Sequence, residues 1–263
     1  MLKDFTKEKF DVIILSGQSN AVGNGMGEVE NPWEPDDRVW FMVGPQDEQE
    51  FYLTPAVESV RNNETVGNLC FTFARRYLAA GMLQEGRKLL ILCCAVGGTG
   101  FLKGEWRLKD IYYERMMAMI RTALGMNPEN RLVSLLWHQG ETDVRPDVTF
   151  DIHYNHVMTL LRTVREEFQV PEIPFIAGDF VYDWKNKVLE RANMVVDAIR
   201  AVCKDCGHGM FIETSDLKSN MQQLNRPTPT AGVVFEDDIH FSRASLYELG
   251  ERYFKAFCQI LGK

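Results

Sequence analysis

Short runs that are apolar at nearly every position alternate along the whole chain with longer segments of helical periodicity. That alternation constrains the fold more than any other feature. Asp11–Ser16 (DVIILS), Lys88–Val96 (KLLILCCAV), Arg131–Gln139 (RLVSLLWHQ), Ile173–Phe180 (IPFIAGDF) and Gly209–Thr214 (GMFIET) read as strands. A strand without polar alternation is buried on both faces, which is the condition of a parallel sheet covered by helices. Helical patterns fill the intervals at Val66–Gly81, Asp110–Gly125, Phe150–Phe168, Lys185–Cys203 and Arg243–Leu261, with Gly81 as a stop signal. No linker or internal repeat interrupts this rhythm, so residues 1–263 are read as one α/β domain.

Two stretches depart from it. Gly25–Asn68 is long, polar and spiked with aromatics (Trp33, Trp40, Phe41, Phe51, Tyr52), and Ser215–Glu236 carries Pro227 and Pro229. Both are expected to be irregular segments, which in a compact domain tend to serve function. The aromatics have an ordinary reading as packing against the sheet edge.

Charge and composition narrow the partners. A net charge of −8 with no basic run argues against nucleic acid and suits a neutral substrate. No stretch approaches the roughly 18–20 apolar residues that span a bilayer. The N-terminal MLKDFTKEKF lacks an apolar signal core, which points to a cytoplasmic protein. Six cysteines fit that compartment as reduced core residues, and Cys203-x-x-Cys206 lacks the second pair a zinc site needs. No metal and no cofactor is expected, and oligomeric state is not legible.

Ligand sites of open parallel sheets gather at the carboxyl ends of strands. Three polar, glycine-bearing segments fall there: Gly17-Gln18-Ser19-Asn20, Gly97-Gly98-Thr99-Gly100 and His138-Gln139-Gly140-Glu141-Thr142-Asp143. A fourth, Asp237-Asp238-Ile239-His240, precedes the last helix. Acyl transfer needs a nucleophile, a base, a group orienting the base, and donors for the oxyanion. Ser19 is the candidate nucleophile, His240 the base, and Asp237 the group that fixes its tautomer. The N–H groups of Ser19 and of Gly97 or Gly98, with the Gln139 amide, are the candidate oxyanion donors. Each motif alone has a plainer reading, as helix cap, turn or surface histidine; their convergence in this order favours catalysis.

At these residues the chain resembles the SGNH (GDSL-like) hydrolase superfamily, in its branch of sialate O-acetylesterase-like and acetyl xylan esterase proteins. GQSN at Gly17–Asn20 looks like that branch's nucleophile block and GGTG at Gly97–Gly100 its oxyanion-glycine block. WHQGETD at Trp137–Asp143 is similar to the W-x-Q-G-E-x-D block, and DDIHFS at Asp237–Ser242 to the D-x-x-H block. The resemblance implies a three-layer α/β/α, flavodoxin-like sandwich with a mainly five-stranded parallel sheet. It also implies metal-free removal of O-acetyl groups from carbohydrate through an acyl-enzyme, with acetylated xylo-oligosaccharides or sialic acids as substrates.

Glu141 competes with Asp237 as the carboxylate orienting His240, and Asp237 is preferred for its short loop. Asp238 is expected to face solvent, Asp143 to be a loop or cap residue, and His138 to be a structural hydrogen-bonder. Gln18, Asn20, Trp33, Trp40 and Trp106 are candidate substrate contacts, the indoles as platforms for sugar rings. A lipase- or thioesterase-like hydrolase of other acyl esters is the runner-up. A phosphate-binding protein lacks the G-K-[ST] or G-x-G-x-x-G that such a turn would carry.

Overall fold

The computed structural model describes residues 5–46, 48–61, 63–222 and 237–263. The five expected strands are present as β1 (Lys9–Gly17), β6 (Arg87–Cys93), β7 (Arg131–His138), β8 (Phe175–Gly178) and β9 (Gly209–Ile212). They lie side by side in the order β6-β1-β7-β8-β9, every pair parallel. The expected helices are α2 (Leu69–Ala79), α3 (Ile111–Met126), α4 (Phe150–Glu167), α6 (Leu189–Asp205) and α7 (Arg243–Ile260). The short helices α1 (Ser19–Val22) and α5 (Tyr182–Lys185) follow β1 and β8.

Gly25–Asn68 is less irregular than its composition suggests. It contributes β2 (Val39–Val43), parallel to β6, and β3 (Tyr52–Pro55), antiparallel to β2, making the sheet seven-stranded. A hairpin of β4 (Ser59–Arg61) and β5 (Glu64–Val66) stands apart from it. β3 is the outermost strand, where exposure permits Thr54 and Pro55 and hides it from a reading based on apolar runs, whereas β2 is a five-residue apolar run set inside a long polar segment. Residues 223–236, which hold Pro227 and Pro229, lie outside the described residues.

Alternate residues of each central strand feed opposite cores, because successive side chains point to opposite faces. Val12 and Ile14 of β1, Leu90 and Leu92 of β6, and Leu135 and Trp137 of β7 pack with α3, α4 and α6. Ile13 and Leu15, Leu89 and Ile91, and Leu136 pack with α2 and α7 on the other side. The result is three layers, with every one of these strand side chains at most 2% exposed. At roughly 1.5–3 kcal/mol per buried aliphatic side chain, this double burial is the main force holding the sheet together.

One charge is buried near the amino end of β1. Asp11 is fully buried, with Oδ1 accepting from Arg87 Nε and Arg131 Nε, each at 2.7 Å, and Oδ2 accepting from Tyr77 O–H at 2.7 Å. Asp11→Ala leaves the Arg87 guanidinium, whose side chain is only 8% exposed, without its counterion. The substitution is expected to destabilise the fold by about 3 kcal/mol, measured by urea unfolding; Arg131 remains half-solvated and limits the loss.

Candidate active site

The first strand ends in a contact that admits only glycine. Gly17 has φ +132°, and a Cβ there would stand 2.1 Å from the His138 carbonyl oxygen. Gln18 N–H donates to that carbonyl at 2.9 Å, and Val96 N–H donates to Gly17 O at 3.1 Å. The ends of β1, β6 and β7 are thereby drawn level. The chain then turns into α1, whose first intrahelical bonds run from Ala21 and Val22 N–H to Gln18 O. Ser19 heads this turn and is 8% exposed. Gly97 is exposed beside it, and a Cβ on Gly97 would lie 3.8 Å from the Ser19 Cβ. Gly98, also exposed, takes φ +70° at the tip of the same loop.

His240 Nδ1 is 2.7 Å from Asp237 Oδ1. Asp237 Oδ2 accepts from Asn220 Nδ2 at 2.8 Å, and Asn220 N–H donates to His240 O at 2.9 Å. Burial raises the Asp237 pKa, but the hydrogen bonds from His240 and Asn220 outweigh it, so the carboxyl sits below its usual range. An ionised acceptor at Nδ1 selects the tautomer with its proton there and leaves Nε2 as the basic nitrogen. Glu141 has a different environment. It is 4% exposed, burial pushes its pKa up, and its Oε1 accepts from Asn20 Nδ2 at 2.8 Å.

Several expected substrate contacts are structural instead. Asn20 is fully buried, donating also to Ile239 O at 3.0 Å and accepting from Phe241 N–H at 3.0 Å. Gln18 is 2% exposed and accepts from Thr142 N–H at 3.2 Å. Trp106 is fully buried, its indole N–H on Thr99 Oγ1 and its ring against Trp137. Trp33 is 7% exposed, stacks on Phe71 and donates to Ala56 O. Trp40 packs on Phe5, itself against Phe10 near the start of β1, at the sheet edge opposite Ser19. The indoles fill gaps between layers and loops, where large rings bury most area.

Gln139 is also fully buried, with Nε2 donating to Thr99 O at 3.2 Å and to Asp143 Oδ2 at 2.7 Å. Both amide hydrogens are thus engaged within the protein, and the side chain tethers the glycine loop. Asp143 is more than a loop or cap residue. Its carboxylate accepts from Phe101 N–H (3.1 Å), Leu102 N–H (2.8 Å) and Gln139, and so fixes the chain that follows Gly97–Gly100. Asp238 does not face solvent: it is 9% exposed and paired with Lys187 at 2.8 Å. His138 is 1% exposed, with Nδ1 3.0 Å from the Tyr253 hydroxyl, and burial lowers its pKa to about 3. Asn24, whose Nδ2 donates to Ser19 O at 3.0 Å, and Asn220 carry no motif and were not singled out. Asn220 has as its only sequence signal its place in the irregular Ser215–Glu236, and Asn24 lies just before Gly25–Asn68.

Among the described residues no cluster of three His, Cys, Asp or Glu side chains is placed to hold a metal, and Cys203 and Cys206 are free thiols. No described helix is long and apolar enough to cross a membrane.

His153 supplies a test of the packing behind the glycine loop. It is 1% exposed, edge-on to Phe101 and 3.8 Å from Asp143 Oδ2, and burial lowers its pKa from 6.5 to about 3. Because the folded value lies below the unfolded one, its contribution is complete above about pH 6.5 and declines as the pH falls toward 3. His153→Phe is expected to flatten the loss of stability between about pH 6.5 and pH 5 by up to ~1 kcal/mol per pH unit, measured by urea unfolding. Parallel curves for the two proteins would contradict this.

The family described as "Carbohydrate esterase, sialic acid-specific acetylesterase" matches residues 9–259. A "Probable 9-O-acetyl-N-acetylneuraminic acid deacetylase" of Escherichia coli (strain K12) is 24% identical over 224 residues, covering 66% of this chain and 68% of that protein. A probable carbohydrate esterase of Arabidopsis thaliana is 25% identical over 183 residues, covering 63% of this chain and 66% of that one. The crystal structure of NanS matches with a TM-score of 0.78 at 18% identity, over 100% of this chain and 99% of that one. A carbohydrate acetylesterase from Xanthomonas citri matches with a TM-score of 0.60 at 16% identity, over 96% of this chain and 57% of that one. At such identities the structural likeness speaks to the fold, a mostly parallel sheet between helical layers.

Proposed function

This chain belongs to the sialic acid-specific acetylesterase family of carbohydrate esterases and is a carboxylic ester hydrolase; on that premise we propose that it removes O-acetyl groups from sialic acids by a Ser19–His240–Asp237 triad. The observation that carries the mechanism is the 2.7 Å contact between Asp237 Oδ1 and His240 Nδ1, made to a carboxyl held in its ionised form. It makes Nε2 a base, where Glu141 has its Oε1 on Asn20 and a raised pKa.

In the first step His240 Nε2 takes the Ser19 hydroxyl proton as Oγ bonds to the acetyl carbon. The oxyanion that forms is stabilised by the N–H of Ser19 and the N–H of Gly97 or Gly98, on a loop held by Asp143. Collapse breaks the bond to the sugar oxygen, which leaves with the proton from His240. Water, deprotonated by the same nitrogen, then attacks the acetyl-Ser19 ester, and collapse breaks the bond to Ser19 Oγ, which takes the proton back from His240 as acetic acid is released. Gln139 serves this reading by holding the loop that carries the glycine donors, with both of its amide hydrogens directed there.

The sialic acid substrate is supported by the family description and by the name of the Escherichia coli relative; its carboxylate departs from the neutral substrate expected from the net charge of −8. The test is acetate release from 9-O-acetyl-N-acetylneuraminic acid beside an acetylated xylo-oligosaccharide. Preference for the neutral oligosaccharide would overturn the substrate assignment and leave the triad standing. Ser19→Ala and His240→Ala are each expected to lower kcat on an aryl acetate by on the order of 10⁴-fold. Asp237→Ala is expected to lose far more activity than Glu141→Gln; the reverse order would transfer the orienting role to Glu141.

A further inference from the structure

We infer that Asn20 is the positioning residue for the catalytic base, its side-chain amide holding His240 in register with the nucleophile next to it in sequence. This rests on the triad reading above and adds a residue to it. Asn20 Nδ2 donates to Ile239 O at 3.0 Å, and Asn20 Oδ1 accepts from Phe241 N–H at 3.0 Å. The two partners flank His240. A main-chain residue in a parallel β bridge makes this same pair of contacts, donating to the carbonyl before its opposite number and accepting from the amide after it. The Asn20 side chain therefore acts as one peptide unit of an absent strand.

The other side of the same segment is held by main chain. Asn220 N–H donates to His240 O at 2.9 Å, and Ser219 and Phe241 form an antiparallel bridge. His240 is thus pinned from both sides, by residues 219–220 on one and by the Asn20 amide on the other. The second Asn20 N–H goes to Glu141 Oε1 at 2.8 Å, which fixes which end of the amide faces which partner. Asn20 is fully buried, so no water competes for these bonds.

Residue type follows from geometry. Aspartate cannot donate to Ile239 O and Glu141 when ionised, serine is too short to span both flanks, and glutamine would carry the amide one methylene beyond the two flanking partners. Because Asn20 directly follows Ser19 at the head of α1, any displacement of the nucleophile turn is transmitted to the base. One side chain couples the two reacting groups.

A misplacement of about 1 Å in a reacting pair can lower turnover on the order of 10²-fold. Asn20→Ala is therefore expected to reduce kcat on an aryl acetate by roughly 10²-fold with little change in KM. The decisive readout is the same substitution in a His240→Ala background. A residue acting through His240 has nothing left to position there, so Asn20→Ala should change the residual rate by no more than about twofold. Asn20→Asp, which keeps the size and the acceptor for Phe241 N–H, is carried through both backgrounds, with near-ultraviolet circular dichroism confirming the fold. It should behave as Asn20→Ala does, and it bears the test if the alanine variant does not fold.

Near-normal kcat in the singly substituted proteins, or an equal fold-loss with and without His240, would overturn the inference while leaving the triad intact. Wild-type turnover in His240→Ala itself would overturn the triad reading and this inference with it.

Discussion

The contact of Gly17 with the His138 carbonyl governs where everything else at the site can stand. A Cβ at position 17 would lie 2.1 Å from that oxygen, and the backbone there takes φ +132°, so the end of β1 can approach β7 only as glycine. Two hydrogen bonds secure the junction on either side, Gln18 N–H to His138 O and Val96 N–H to Gly17 O. With the ends of three strands fixed together, the segments leaving them are confined to one small volume. Ser19, Gly97 and Glu141 are neighbours because of that constraint, although about 120 residues separate the first from the last.

Neutral amides do most of the holding. Asn68 caps α2 and donates to Ala21 O and Val22 O at the end of α1, Asn24 donates to Ser19 O, and Asn220 binds Asp237 and donates to Asn24 O. An asparagine offers donor and acceptor together without adding charge, and where it donates to a carboxylate it favours the ionised form, as Asn220 does at Asp237. The carboxylates keep distinct states. Asp237 remains acidic through its hydrogen bonds, whereas burial raises Glu141 and Asp143.

Much of this was legible in the sequence, for physical reasons. Strands buried on both faces must be apolar throughout, so β1, β6, β7 and β8 announce themselves, as do the helices between them, while the partly buried edge strand β9 shows as a shorter apolar run. The four polar segments at their ends converge because a parallel sheet puts all its carboxyl ends on one edge. Strand β3 escapes such a reading because it is a short, exposed edge strand that needs no apolar run, and β2 because its five apolar residues sit inside a long polar segment. Trp33 and Trp106 are buried, which composition does not reveal, and the partly exposed Trp40 packs on Phe5 away from Ser19. Asn20 and Gln139 can be placed at the site from their motifs, but the commitment of their amide hydrogens to other protein groups arises only in the folded chain. Asn24 and Asn220 act through contacts far apart in sequence, which no local pattern encodes.

The central claim is that Ser19 carries the acyl group, and active-site labelling tests it most directly. The protein is treated with a fluorophosphonate, residual esterase activity is followed, and the modified peptide is identified by mass spectrometry. The account predicts loss of activity in step with a single phosphonyl adduct on Ser19, and no labelling of that residue in His240→Ala on the same timescale. Complete inactivation with Ser19 unmodified, or full activity with Ser19 phosphonylated, would contradict it.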